Sequence, residues 1–258
     1  MQTVNDAPEA QTKAPRRARD PEATRQAILD AALIEFSDNG LSGARVDAIA
    51  ARTGTNVRMI YYYFASKDGL YRAVLEQCYA DIRQAETGLR LDALPPAEAM
   101  RLLVEFVFDY QEAHPRFTRL VCIENIHHGE HIARSETIRT LNETAITTVA
   151  AILERGKREG VFQPEATAIG VHLLMTSFCF FRVANRYTLN TVFGQDPLST
   201  ALREGHRRMI VAAVLGFLHR PTEAAGRKRA QSAERTKGHS QRSGQKGTVS
   251  TVDRPGGQ

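Results

Sequence analysis

An all-α fold is expected for this chain, on three observations. Apolar residues recur every third and fourth position through successive runs, as in helices that bury one face. Proline, glycine and capping residues punctuate those runs, for example Asp20-Pro21, Asn39-Gly40 and Ser66. Two of the runs are short, with only Gly54 to Asn56 between them. That spacing describes a helix-turn-helix followed by a larger helical body.

The first run starts where Asp20 supplies an N-cap and Pro21 a first helical position, and continues through Ile28, Leu29, Ala32, Leu33 and Phe36 until Asn39-Gly40 closes it. Val46, Ile49 and Ala50 mark a second helix that stops near Thr53-Gly54, and Val57 to Tyr62 a third. Ile49, Ala50, Ile60 and Phe64 are expected to pack under the first helix. That leaves Asn56, Val57, Arg58, Met59 and Tyr61 facing outward at the start of the third helix, which a helix-turn-helix presents to the major groove of DNA. Arg58 is then a donor to base edges or phosphates, and Val57 and Met59 can meet thymine methyls. Tyr61 and Tyr63 offer hydroxyls at the groove rim. Ser66 caps the next helix and places Lys67 beside free backbone N–H groups, where a phosphate would sit.

Bulk charge does not support this reading. The net charge is +5, but residues 220–258 hold nine Lys or Arg against three acids, a surplus of six that leaves residues 1–219 at −1. The case for DNA rests on local arrangement. Residues 1–20, with Arg16, Arg17 and Arg19, are expected to form a disordered arm, either lying along DNA or simply solvated. Residues 221–258 read as a disordered basic tail that adds non-specific phosphate attraction.

At 258 residues, 42% hydrophobic and 24% charged, the chain fits a globular protein of one large or two modest domains. Cys78, Cys122 and Cys179 match no metal or disulfide spacing, which suits a reducing cytoplasm. No leader or membrane span is read, and the longest apolar candidate, 171–184, is interrupted by His172, Thr176, Ser177 and Arg182 and is expected to be a buried helix.

Residues 25–71 carry a resemblance. ILDAALIEF, the Gly40 turn, VDAIA, TGTNVRMIYYYF and SKDGL resemble the DNA-binding domain of the TetR family of bacterial regulators. The resemblance implies a homodimer, most simply a ligand-released repressor on a palindromic operator, with an activator as the alternative. It makes 21–68 the reading head and 69–220 a helical ligand-binding and dimerisation domain. It assigns Asn56, Val57, Arg58 and Met59 to bases, and Tyr61, Tyr63 and Lys67 to phosphates. Two departures stand out: Ala44-Arg45 replaces a common pair of threonines, and Thr55-Asn56 a valine-serine. Arg45 then puts a charge where a hydroxyl would contact phosphate.

Leu70, Ala73, Val74, Cys78 and Ile82 continue a fourth helix, which LDALPP ends at Pro95-Pro96. Helical runs follow over 97–113 and 116–126, then from Ser135 to Gly160, from Pro164 through Val183, and from Pro197 through Leu218. The segment HPRFTRLVCIENIHHGEHI resembles a sub-group that includes regulators of pyrimidine and nicotinate breakdown. In the family the last two helices make the dimer interface.

His127, Glu130 and His131 also fit an H-x-x-E-H zinc-hydrolase pattern, so an enzyme is the rival class. Gly129 weakens any helix meant to hold both histidines, and a solvated polar cap is the preferred reading, with no metal and no cofactor. His172, Met175, Phe178 and Arg182 are read as an effector pocket, Arg182 meeting the carboxylate of an aromatic or heterocyclic acid. Ordinary packing is the alternative for each of these side chains.

Overall fold

The computed structural model describes residues 20–219, so the expected arm and basic tail lie outside the described residues. Most of them lie in eleven α-helices: α1 (Pro21–Gly43), α2 (Val46–Thr53), α3 (Val57–Phe64), α4 (Lys67–Thr87), α5 (Pro96–Ala113), α6 (Pro115–Ile126), α7 (Glu130–Ala133), α8 (Glu136–Arg158), α9 (Ala168–Ala184), α10 (Arg186–Phe193) and α11 (Thr200–Leu218).

Local chemistry sets most of the starts. Asp20 accepts from the N–H of Glu22, Ser66 from that of Gly69 and Ser135 from that of Ile138, each at the head of its helix. The expected break at Gly40 is present, with φ 67° and ψ 176°, and α1 continues for one more turn. Tertiary contacts moved two other starts. Pro164 does not open α9, because residues 162 and 163 pair with the end of α11: Phe162 bridges His219, and the Gln163 N–H donates to the Leu218 carbonyl at 2.8 Å. Thr167 caps α9 instead. Helix α11 starts at Thr200 rather than Pro197, whose carbonyl is taken by Arg182. Helix α10 had no counterpart in the expected runs, and none of its residues is buried.

The interior divides into two apolar clusters. One joins Ile28, Phe36, Ile49, Ile60, Leu70, Tyr71 and Val74 to Phe117, Leu120 and Ile138 from α6 and α8. The other gathers Met100, Leu103 and Phe108 of α5 with Val149, Ile152, Val171, Met175, Cys179, Ile210 and Val214. The first three helices therefore share their core with the body. Each fully buried large side chain contributes roughly 1.5–3 kcal/mol.

Helix α9 is not the buried helix expected, since Ile169, Leu173 and Phe181 are more than half exposed on one side. No single described helix is long and apolar enough to cross a membrane; α9 and α10 reach that length together only across a 69° bend. The three cysteines are free, and burial pushes the Cys78 and Cys179 thiols up to about 12.

Gly156 shows how tightly α8 meets this interior. A Cβ there would overlap the ring of Phe162, which is itself buried. Gly156→Ala is expected to lower the unfolding free energy by about 1–3 kcal/mol in urea titration, with partial recovery in Gly156→Ala/Phe162→Leu.

Candidate nucleic-acid interface and ligand cavity

Helices α2 and α3 are held in register by groups the chain supplies locally. The Thr55 N–H reaches back to the Ala50 carbonyl at 3.1 Å, and Gly54 ends α2 in the left-handed region. Asn56 then caps α3, its Oδ1 accepting from the Met59 N–H at 2.9 Å. At the other end, buried Glu35 of α1 accepts from the Arg45 N–H at 3.0 Å and from the Asn39 amide at 3.1 Å, tying the entrance of α2 to α1.

Ile60 and Phe64 are the buried face of α3, one turn apart, as expected. Asn56, Arg58 and Tyr61 are exposed, and Met59 is half-buried. Val57, expected outward, and Tyr63, expected at the groove rim, are also half-buried and pack against the first cluster. Tyr62, absent from the expected contact set, is 78% exposed and lies one turn beyond Arg58. Counting positions around α3 from Ile60 would have placed it there.

The entry to α4 is equally constrained. Ser66 caps it, and a Cβ on Gly69 would overlap the Phe64 carbonyl, so α3 and α4 meet closely only because residue 69 is glycine. Lys67 donates to the Ser42 carbonyl at 3.3 Å, beside the exposed start of α4. Arg45 pairs with Asp47 at 2.5 Å, both side chains largely exposed, and that hydrogen bond holds the Asp47 carboxyl below its usual range.

The histidine cluster is not laid out along one helix as the zinc-hydrolase pattern requires. Helix α6 ends at Ile126, Gly129 has φ 71°, and α7 starts at Glu130, so His127 and His131 do not share a helix face. His127 and His128 are exposed. His131 is buried: its Nδ1 lies 3.1 Å from Glu124 Oε1, its Nε2 3.6 Å from Asp68, and its ring packs edge-on to Tyr71. Glu124 also accepts from the N–H groups of His131 and Ile132. Among the described residues no group of three or more His, Cys, Asp or Glu is placed to hold a metal.

A cavity of about 170 Å³ lies among α4, α5, α6, α8 and α9. His172 and Met175 line it, together with Tyr79, Arg83, Gln111 and Phe180. Phe178 and Arg182 do not. Phe178 packs edge-on against His206. Arg182, 3% exposed, lies 4.1 Å over the Phe108 ring and donates to the Pro197 carbonyl at 2.8 Å, to Glu112 at 3.3 Å and to His206 at 3.2 Å. A buried guanidinium needs such partners, and α5, α11 and the segment before α11 supply them, so Arg182 lies off the cavity wall, against its reading as the partner of a ligand carboxylate.

Two short helices around a glycine turn, with exposed side chains leading the second, define a DNA-binding protein of the helix-turn-helix class. Residues 28–74 match the family model described as bacterial regulatory proteins, tetR family, and residues 96–214 match that of a tetracyclin repressor-like C-terminal domain. The chain is 39% identical over 180 residues to the HTH-type transcriptional repressor NicS of Pseudomonas putida, covering 70% of this chain and 85% of that protein. It is 29% identical over 198 residues to the HTH-type transcriptional repressor SCO4008 of Streptomyces coelicolor, covering 75% and 98%. Among solved structures, the regulator SCO4942 of Streptomyces coelicolor superposes with a TM-score of 0.57 at 26% identity, covering 77% of this chain and 99% of that one. The protein belongs to the TetR family, and it is a DNA-binding transcriptional repressor, not an enzyme.

Because His131 is enclosed and His127 and His128 are not, their substitutions are expected to diverge. His131→Ala should cost about 1–3 kcal/mol in urea titration, because buried Glu124 would be left without its imidazole partner. His127→Ala and His128→Ala should each change stability by less than about 0.5 kcal/mol.

Proposed function

We propose that the protein binds a palindromic operator as a homodimer and leaves it when a small-molecule effector fills the cavity reached by α4. The observation that carries this reading is that α4 serves both ends: Lys67 stands at its exposed start, and Ile82, Arg83 and Glu86 line the cavity sixteen residues on. At 1.5 Å per residue that separation is roughly 24 Å, so a shift at the cavity becomes a tilt at the head.

In this reading residues 21–68 form the head and 69–220 the effector-binding and dimerising body, working in the cytoplasm where the operator is. Arg58 donates to a guanine edge or a phosphate, and Val57 and Met59 offer apolar contact to thymine methyls. Asn56 contributes its amide N–H groups, since its oxygen is engaged in the cap. Tyr61, Tyr63, Lys67 and Arg45 hold phosphates, Arg45 by exchanging Asp47 for the backbone. Exposed Tyr62 joins that set.

The dimer interface is assigned to the open faces of α9 and α11. Ile169, Leu173, Phe181, Met209 and Phe217 are large apolar residues left about half or more exposed, a pattern that a second copy of the chain would cover. Two heads so joined must sit about 34–36 Å apart to enter successive major grooves. An effector that prefers a different spacing by about 1.4 kcal/mol lowers occupancy tenfold. The effector keeps the aromatic or heterocyclic character expected from the sequence, because Tyr79, Phe117 and Phe180 wall the cavity, but Arg182 is not its partner.

Two measurements test this. On an operator recovered by selection from random duplexes, Arg58→Ala/Lys67→Ala is expected to abolish a symmetric footprint while leaving the thermal transition in place; unchanged specific binding would sink the assignment. Leu173→Glu/Phe181→Glu is expected to sediment as a 28.6 kDa monomer and to lose operator affinity, whereas an intact dimer would move the interface elsewhere.

A further inference from the structure

We infer that the cavity takes a single-ring aromatic or heteroaromatic carboxylate, bound side-on by the guanidinium of Arg83, with the His172 imidazole meeting the ring or a polar group on it. This rests on the effector reading above for its regulatory meaning, but not for its chemistry.

The argument starts from buried polar atoms that lack a partner. Four such side-chain atoms occur among the described residues: Tyr71 Oη, Arg83 Nε, His172 Nδ1 and Arg182 Nη1. Two of the four, Arg83 Nε and His172 Nδ1, belong to residues on the wall of this one cavity. A buried donor left unmatched costs about 1–3 kcal/mol, so a ligand that matches it recovers that amount.

Arg83 is arranged for one kind of acceptor. Its Nη1 donates to Glu86 at 2.5 Å, and both side chains are nearly buried. The opposite edge carries the Nε and Nη2 N–H groups, and its buried Nε has no hydrogen-bond partner. Those two N–H groups are parallel, and the two oxygens of a carboxylate match them as no single carbonyl can.

Size and walls define the rest of the ligand. About 170 Å³ is slightly more than the 150 Å³ known to hold benzene, which admits one six-membered ring and a small substituent. Tyr79, Phe117 and Phe180 offer flat apolar faces. Burial, and then the charge of Arg83, hold His172 below its ordinary value, so it meets the ligand as a neutral imidazole. Burial also raises the Glu86 carboxyl, which lies between Arg83 on α4 and Thr148 on α8, with His172 on the cavity's α9 wall.

The test is calorimetric titration of the full-length protein with benzoate and the three pyridine monocarboxylates, each against its carboxamide. At least one acid is expected to bind, with its amide about tenfold weaker or worse, the loss of one charge-assisted contact. Arg83→Gln/Glu86→Gln, which leaves no stranded carboxylate, is expected to lose the same factor, and Arg83→Lys to fall between, keeping the charge without the fork. A cooperative thermal transition checks that each variant folds. The inference is overturned if no acid binds, if amides bind as well as acids, or if both Arg83 variants keep the acid's affinity. An acid that binds through Arg83 yet leaves the operator occupied supports the anchor and refutes the effector reading. Operator release by a ring without a carboxylate does the reverse.

Discussion

Continuous burial along α4 is the constraint on which the rest of this molecule depends. Leu70, Tyr71, Val74, Leu75, Cys78, Ile82 and Glu86 are all buried, from its first turn to its last. The helix therefore packs against α1 at one end and α8 at the other, and it cannot tilt without disturbing both. A bundle in which reading head and body had separate cores would leave them free to move independently. Here the first cluster already includes Phe117, Leu120 and Ile138 from the body, so head orientation is a property of the whole fold.

Buried carboxylates reinforce that connection. Glu35 fixes the entrance of α2, Glu124 fixes α7 and His131 beside the head residue Asp68, and Glu86 pairs with Arg83 at the cavity. All three are buried, where an unmatched acceptor would be costly. Glu35 accepts from the Arg45 N–H and the Asn39 amide, and Glu124 from two backbone N–H groups, each set at a helix start where the dipole favours a negative group. The same accounting explains the histidine cluster. Its spacing mimics a zinc motif, yet the fold uses one histidine as a partner for Glu124 and leaves the other two in solvent.

The legible part of the interface was the part that depends on local geometry. Asp20, Gly40, Gly54, Ser66 and Ser135 all occupy the caps or breaks their chemistry suggests. Ile60 and Phe64 are inward and Arg58 outward, as a helical period requires. The errors there were of degree: Asn56 is committed to a cap, Val57 and Tyr63 are partly packed, and Tyr62 is more open than either neighbour. At the cavity the reading was weaker. Of four residues picked from the 172–182 run, the two at its start line the cavity and the two further on do not.

By itself the sequence determined helix number to within α7 and α10, the helix-turn-helix and its inner face, because hydrophobic period and capping act within a few residues of chain. Only the tertiary structure decided what each buried polar side chain touches. Arg182 meets Glu112 seventy residues away, Glu76 meets Ser135 fifty-nine away, and Arg83 reaches a cavity built from five helices. A helix's own pattern says which face is apolar, but the neighbour opposite that face is set by how all the helices stack. Polar partners across such contacts leave no periodic trace in the chain.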